Sequence, residues 1–198
     1  MEHTADTQNR ILNTARRLFH QQGYTAVGVA DICRQAGVVK GSFYHFYSSK
    51  AELLNDVLRR NWKNTSDALD HLQTARGTGR EKLARFVGMI VAHARHMNAE
   101  EGAIYGCNIG VIASEMGPSE RTAESTITDI FSQWLTALTR LVESGQADGS
   151  IGREREADEL AVALLASIQG MSVLGRTFND PNMLQSAADN ALNQLPNP

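Results

Sequence analysis

The sequence predicts an all-α fold of about nine helices, and three observations carry that expectation. Apolar residues recur at the helical period along almost the whole chain. No segment alternates as a half-buried strand would, and no internal repeat or low-complexity tract interrupts the pattern. Only 4 prolines fall among 198 residues and 42% of the chain is hydrophobic, the balance of a globular protein rather than a disordered one. A chain of this length buries a core without covalent staples. Two cysteines, Cys33 and Cys107, make no disulfide framework, which agrees with a reducing compartment. There is no run of 18 apolar residues and the opening MEHTADTQNR is polar. Neither a transmembrane helix nor a secretory signal is therefore expected, and a cytoplasmic location is.

The elements come in order along the chain. Ile11, Leu12, Ala15, Leu18 and Phe19 share one face of the first helix, which Gly23 closes. A short second helix over about 29–36 turns Val29, Ile32, Cys33 and Ala36 inward, and Gly37 supplies the left-handed residue that ends it. A third covers about 40–46. SSKAEL then opens a long fourth helix, with Ser49 at the N-cap and Glu52 three residues on as a capping box, running to about residue 73. TARGTGR (74–80) reads as a linker. The fifth helix, about 80–98, carries the stripe Leu83, Phe86, Val87, Ile90, Ala94 and Met97. Gly102, Gly106 and Gly110 loosen the next stretch, and the sixth helix ends at MGPS, where Pro118 starts the seventh. That helix bears Ile127, Ile130, Phe131, Trp134, Leu135, Leu138, Leu141 and Val142 and stops near ESGQADGS. The eighth (about 154–176) and the ninth (about 181–195, from Pro181) complete the chain.

One stretch resists a core reading. In VVKGSFYHFYSSKAEL, residues 38–53, Phe43, Tyr44, Phe46 and Tyr47 are nearly consecutive, so at least two must point away from any single core. Two short helices joined by the glycine turn CRQAGVVKG on a longer first helix make a helix-turn-helix, whose second helix enters the DNA major groove. The aromatics then divide. Phe43 packs inward toward Phe19 and Ile32, while Tyr44 and His45 face out toward phosphates or base edges. Lys40 begins the recognition helix, Gly41 and Ser42 keep its leading edge small, and Lys50 sits where free backbone N–H groups favour a phosphate. Charge agrees. Residues 1–63 hold nine Lys/Arg against five Asp/Glu, and residues 64–198 hold ten against seventeen. A basic front suits an anionic partner, here double-stranded DNA. One short helix reads few bases, so two copies on a palindromic operator are favoured.

ILNTARRLFHQQGYTAVGVADICRQAGVVKGSFYHFYSSKAELL resembles the N-terminal domain of the tetracycline-repressor (TetR) family of bacterial regulators. The resemblance implies a homodimeric, ligand-responsive transcription factor, usually a repressor. Its helix-turn-helix DNA-binding domain would occupy residues 1–48. An effector-binding and dimerisation domain would occupy 49–198, with the fourth helix as connector. The chain departs from the family pattern at Val27 and Gly28, where Thr or Ser usually caps the second helix and touches a phosphate, and at Ala30 and Val39. DNA contact then falls on Lys40, Gly41, Ser42, Tyr44, His45 and Lys50.

The resemblance further implies a small-molecule effector enclosed by the fifth to seventh helices, with the fourth transmitting its state. The sequence offers Trp62, Phe86, Ile90, Tyr105, Phe131, Trp134 and Met171 as large lining residues and His93 as a polar point. YGCNIGVIASEMG (105–117) resembles a helix of a TetR subgroup that includes regulators answering reactive electrophiles. Cys107 stands near a helix N-terminus, where the helix dipole favours the nucleophilic thiolate. A small packing residue is the other reading of Cys107. Cys33, on the apolar face, is expected to be inert core. His93 and His96 have a metal-compatible spacing but lack a third ligand, so no metal and no cofactor is expected. Leu184, Ala188, Ala191 and Leu195, with Leu160, Leu164, Ile168 and Met171, form faces suited to close helix packing, across a two-fold or within the chain.

Two other classes remain open at this level. An enzyme would use Cys107 as nucleophile with His93 or His96 as base, but an oxyanion loop and a third partner are lacking, and no enzyme is expected. The other is a small-molecule binding protein with weak or no DNA reading.

Overall fold

A computed structural model of the protein describes residues 2–116 and 121–197. Among the described residues are nine helices and no strand, as the periodicity predicts. They are α1 (Glu2–Gln22), α2 (Val29–Ala36), α3 (Lys40–Phe46), α4 (Lys50–Thr74), α5 (Gly79–Glu101), α6 (Asn108–Glu115), α7 (Arg121–Asp148), α8 (Ala157–Phe178) and α9 (Pro181–Asn193). Pro118, expected to start the seventh helix, lies outside the described residues. The chain forms two compact units.

The first unit comprises Met1–Lys63 and Asn108–Ile130. The predicted stripe of α1, Ile11, Leu12, Ala15, Leu18 and Phe19, is buried together with Ile32, Cys33, Ala36, Phe43 and Tyr47. Removing the larger of these, the Ile, Leu and Phe side chains, from water stabilises by about 1.5–3 kcal/mol each. Gly23, at φ 86°, closes α1, and its N–H donates to the Phe19 carbonyl at 3.0 Å. Gly37, at φ 64°, ends α2. The Gly37 N–H reaches the Arg34 carbonyl and the Val38 N–H the Cys33 carbonyl, the paired bonds of a Schellman turn. The Arg10 guanidinium adds donors to the carbonyls of Ala36 (2.5 Å) and Gly37 (3.0 Å).

The expected capping box of α4 is altered. Ser49 Oγ does accept from the Glu52 N–H at 3.1 Å. The Glu52 carboxylate, however, turns to Ser48, taking its N–H and its hydroxyl, both at 2.7 Å. Ser48 offers two donors where the Ser49 backbone offers one. These bonds hold the Glu52 carboxyl below the usual glutamate range.

The second unit comprises Asn64–Cys107 and Phe131–Pro198. Helix α5 starts within the stretch read as a linker. Thr78 and Glu81 form a reciprocal capping box, with the Glu81 carboxylate accepting the Thr78 N–H at 2.9 Å. Gly79 presses so closely on α7 that a Cβ there would collide with the Gly145 backbone. The segment after α7 is pinned by Arg80, which donates to the carbonyls of Ser150, Leu195 and Pro196. Helix α8 begins at Ala157, three residues later than its pattern suggests, and in the stretch before it Gln146 Nε2 donates to the carbonyls of Gly152 (3.3 Å) and Arg155 (2.9 Å). Leu160, Leu164, Ile168 and Met171 of α8 and Leu184, Ala188 and Ala191 of α9 are buried within the chain.

By length and composition α8 is apolar enough to cross a membrane, which a search for unbroken apolar runs overlooks. Its inward half is core packed on α9. Its outward side leaves Val162, Val173, Leu174 and Phe178 exposed.

Candidate nucleic-acid interface and sensing elements

The helix-turn-helix is built by placing two aromatics at α3 inward and two side chains outward. Phe43 and Tyr47 are buried, their ring centroids 6.0 Å apart. Tyr44 is 56% exposed and lies edge-on to Phe43 at 5.2 Å. His45 is exposed beside Phe46, with centroids 4.9 Å apart. Lys40 and Gly41 are exposed and Ser42 is half-buried. Tyr44 and His45 thus face outward from α3, with Lys40, Gly41 and Ser42 at its leading end.

Helix α2 begins at Gly28 with no side-chain cap. Asp31 reaches back instead, accepting from the Gly28 N–H at 3.4 Å and from Arg34 at 2.6 Å. Cys33 is buried behind it, and burial pushes its thiol up, away from the reactive thiolate.

Lys50 is half-buried, and its ammonium turns into the protein. Nζ donates to the carbonyls of Tyr24 and Val27, each at 3.0 Å, and stands 4.0 Å from the Tyr24 ring centroid. It thus braces the turn between α1 and α2. The same turn is held from α6: the Glu115 carboxylate accepts the Thr25 N–H at 2.8 Å. Neither contact is visible to sequence reasoning, since neither pairing has a local spacing signal.

In the second unit, Phe86, Phe131 and Trp134 gather. Phe131 stacks on Trp134 at 11° between planes and Phe86 meets it edge-on at 82°. Met171 is buried, Ile90 and Tyr105 are half-buried, and His93 is exposed on α5. Trp62 is buried and belongs to the first unit. No group of three His, Cys, Asp or Glu that could hold a metal exists among the described residues.

Cys107 is half-buried and immediately precedes α6. Its Sγ accepts from Gln169 Nε2 of α8 at 3.8 Å. Gly106, at φ 77°, lets this segment lie against α8, since a Cβ there would stand 2.9 Å from the Ser172 carbonyl oxygen. Asn179, in the left-handed conformation at φ 51°, fixes the segment's start. It accepts from the Ile104 N–H at 2.8 Å and donates to the Gly102 carbonyl at 2.9 Å. The helical pattern singles out neither Gln169 nor Asn179. The Asn-Asp-Pro punctuation at 179–181 is the one signal that points to the second.

Residues 11–57 match the family described as bacterial regulatory proteins, tetR family. Residues 81–190 match the C-terminal domain described as transcriptional regulator LmrA/YxaF-like. The chain belongs to the TetR family. It is similar to the uncharacterised HTH-type transcriptional regulator YxaF of Bacillus subtilis (strain 168), 28% identical over 96% of this chain and 95% of that one. It is also similar to the HTH-type transcriptional repressor DhaR of Mycobacterium sp. (strain GP1), 27% identical over 82% of this chain and 79% of the relative. Among solved structures, the reduced form of E. coli NemR superposes with a TM-score of 0.80 at 21% identity, covering 97% of this chain and 98% of that one. The protein is thus a helix-turn-helix DNA-binding transcriptional regulator of the repressor kind, in a family of regulators rather than enzymes.

Proposed function

We propose that the protein is a cytoplasmic homodimeric repressor that leaves a palindromic operator when an electrophilic small molecule modifies Cys107. The division is a reading domain at residues 1–48 and an effector and dimerisation domain at 49–198. The observation that carries the proposal is the position of Cys107. It lies one residue before an eight-residue helix whose last residue, Glu115, grips the turn of the DNA-binding unit. The thiolate sulfur would form a C–S bond to the β-carbon of an unsaturated carbonyl compound. The displaced π electrons would be neutralised by a proton from water at the neighbouring carbon. An adduct at the head of α6 moves the helix, and with it Glu115 and Thr25. Release requires only that the modified state bind DNA less well than the free one.

Phe86, Ile90, Tyr105, Phe131, Trp134 and Met171 supply the apolar surroundings for the effector. Lys40, Gly41, Ser42, Tyr44 and His45 meet the DNA, and Lys50 holds the turn behind them. Val162, Val173, Leu174 and Phe178, an exposed apolar stripe on α8 with the small Ala166 and Gly170 between them, suit close packing on a second copy.

The test is operator binding by fluorescence anisotropy, with DNA from upstream of the protein's own gene, for wild type and Cys107→Ser. Each is measured with and without N-ethylmaleimide. Release of wild type but not of Cys107→Ser supports the proposal. If both stay bound, Cys107 is a packing residue and the effector binds non-covalently.

A further inference from the structure

Val39 is the most exposed large apolar side chain among the described residues, at 71%. It occupies the N-cap of α3, where Ser, Thr, Asp or Asn would accept an orphan N–H, and it makes no cap bond. Its extended backbone, φ −81° and ψ 155°, suits a β-branched residue but does not call for an apolar one. A single exposed valine needs no explanation in general. This one has a neighbour that gives it meaning. Gly41, two residues on, weakens a seven-residue helix, yet an added Cβ would meet nothing within 4 Å. Neither packing nor backbone conformation requires glycine there. Two positions on one edge of α3 thus depart from what the fold alone favours, as residues shaped for a partner do.

That partner is DNA, and chemistry narrows the contact. A valine side chain has no donor or acceptor, so it recognises neither a phosphate oxygen nor the polar edge of a base. The apolar group that natural base pairs present in the major groove is the C5-methyl of thymine. Gly41 leaves room for α3 to sit close to the groove floor, and Lys40, between the two, brings positive charge to the same edge. Tyr44 and His45 supply the polar contacts further along. We infer that Val39 reads the C5-methyl of one thymine in each operator half-site, making it a specificity-determining residue of this regulator.

The experiment separates one methyl group from everything else in the interface. Full-length protein selects its preferred duplex from a random pool, a step that reads DNA binding itself. Each thymine of the selected half-site is then replaced in turn by uracil, symmetrically in both halves, and affinity is measured by anisotropy at fixed salt. For wild type, one position loses about fourfold per half-site, the worth of one buried methyl. Val39→Ala and Val39→Ser, checked for a thermal midpoint no lower than wild type's, lose that sensitivity while keeping it elsewhere. A second measurement needs no variant: cytosine at the sensitive position binds wild type more weakly than 5-methylcytosine, which restores the methyl. The inference is overturned if wild type is indifferent to every thymine methyl. It is equally overturned if the variants remain as sensitive as wild type at the same position.

Discussion

The Glu115 carboxylate accepts the backbone N–H of Thr25 at 2.8 Å, joining the end of α6 to the α1–α2 turn across 90 residues of chain. Gly23 makes room for it, because a Cβ there would run into the Glu115 carboxylate and the backbone is left-handed at φ 86°. One side chain therefore connects the element headed by Cys107 to the base of the DNA-binding motif.

Glu115→Ala leaves the exposed Thr25 N–H to water and lowers stability by about 1 kcal/mol, the net worth of the bond. Glu115→Gln keeps an acceptor and falls between the two. Thermal unfolding ranks the three proteins. Anisotropy with N-ethylmaleimide then checks that the alanine variant releases DNA less completely than wild type. Full release by Glu115→Ala would remove this bond from the signalling route.

Lys50 acts from the other side of the same turn. Lys50→Met removes two bonds to carbonyls and the contact with the Tyr24 ring, costing about 2 kcal/mol. If its charge also meets a phosphate, the slope of log affinity against log salt becomes shallower by about one unit. Denaturant unfolding gives the first quantity and a salt titration of operator binding the second.

Tyr44 is exposed, so Tyr44→Ala leaves the thermal midpoint within a degree or so while operator affinity falls about tenfold. Tyr44→Phe isolates the hydroxyl. An alanine variant that binds as tightly as wild type would remove Tyr44 from the interface.

Two glycines of α5 predict opposite signs. Gly79→Ala forces a methyl against the Gly145 backbone and costs about 1–3 kcal/mol. Gly88→Ala, in a helix interior with nothing within 4 Å of the added carbon, stabilises by about 0.5–1 kcal/mol. Chemical denaturation of both variants at one pH checks the pair.

Asp148 gives a pH dependence. Hydrogen bonds from Ser150 and from the Gly79 N–H (2.8 Å) hold its carboxyl below the ordinary aspartate range. A lowered carboxyl adds stability that is complete above the ordinary range and disappears as pH falls through the lowered value. Asp148→Asn is therefore less stable than wild type at neutral pH, and the two converge in acid. Thermal midpoints measured across that range test the sign.

Much of the fold is legible in the sequence because it rests on local patterns. The 3.6-residue period places the first, second, fifth and seventh helices, the SSKAEL cap opens the fourth, and Gly23 and Gly37 mark two helix ends. The crowded aromatics at α3 point to the division between buried Phe43 and exposed Tyr44 and His45, though not to the burial of Tyr47. The cap at Thr78 is equally local but lies hidden among the loop-forming residues around it. The illegible part depends on residues brought together by tertiary packing. Glu115 with Thr25, Lys50 with the Tyr24 carbonyl and Asn179 with Ile104 are separated by 90, 26 and 75 residues, and no periodicity encodes such pairs. The orientation of Lys50 belongs to the same group, since sequence gives its charge but not the direction of its ammonium.

The division of α3 has a consequence for how such regulators diversify. Phe43 and Tyr47 anchor the helix, while Val39, Lys40, Tyr44 and His45 stand largely clear of the core. On the proposed assignment of operator contact to these outer positions, substitutions there redirect the protein to a new operator without first having to be compatible with folding. Address and architecture would then be inherited separately, so that a duplicated gene acquires a new set of targets while its scaffold stays the same.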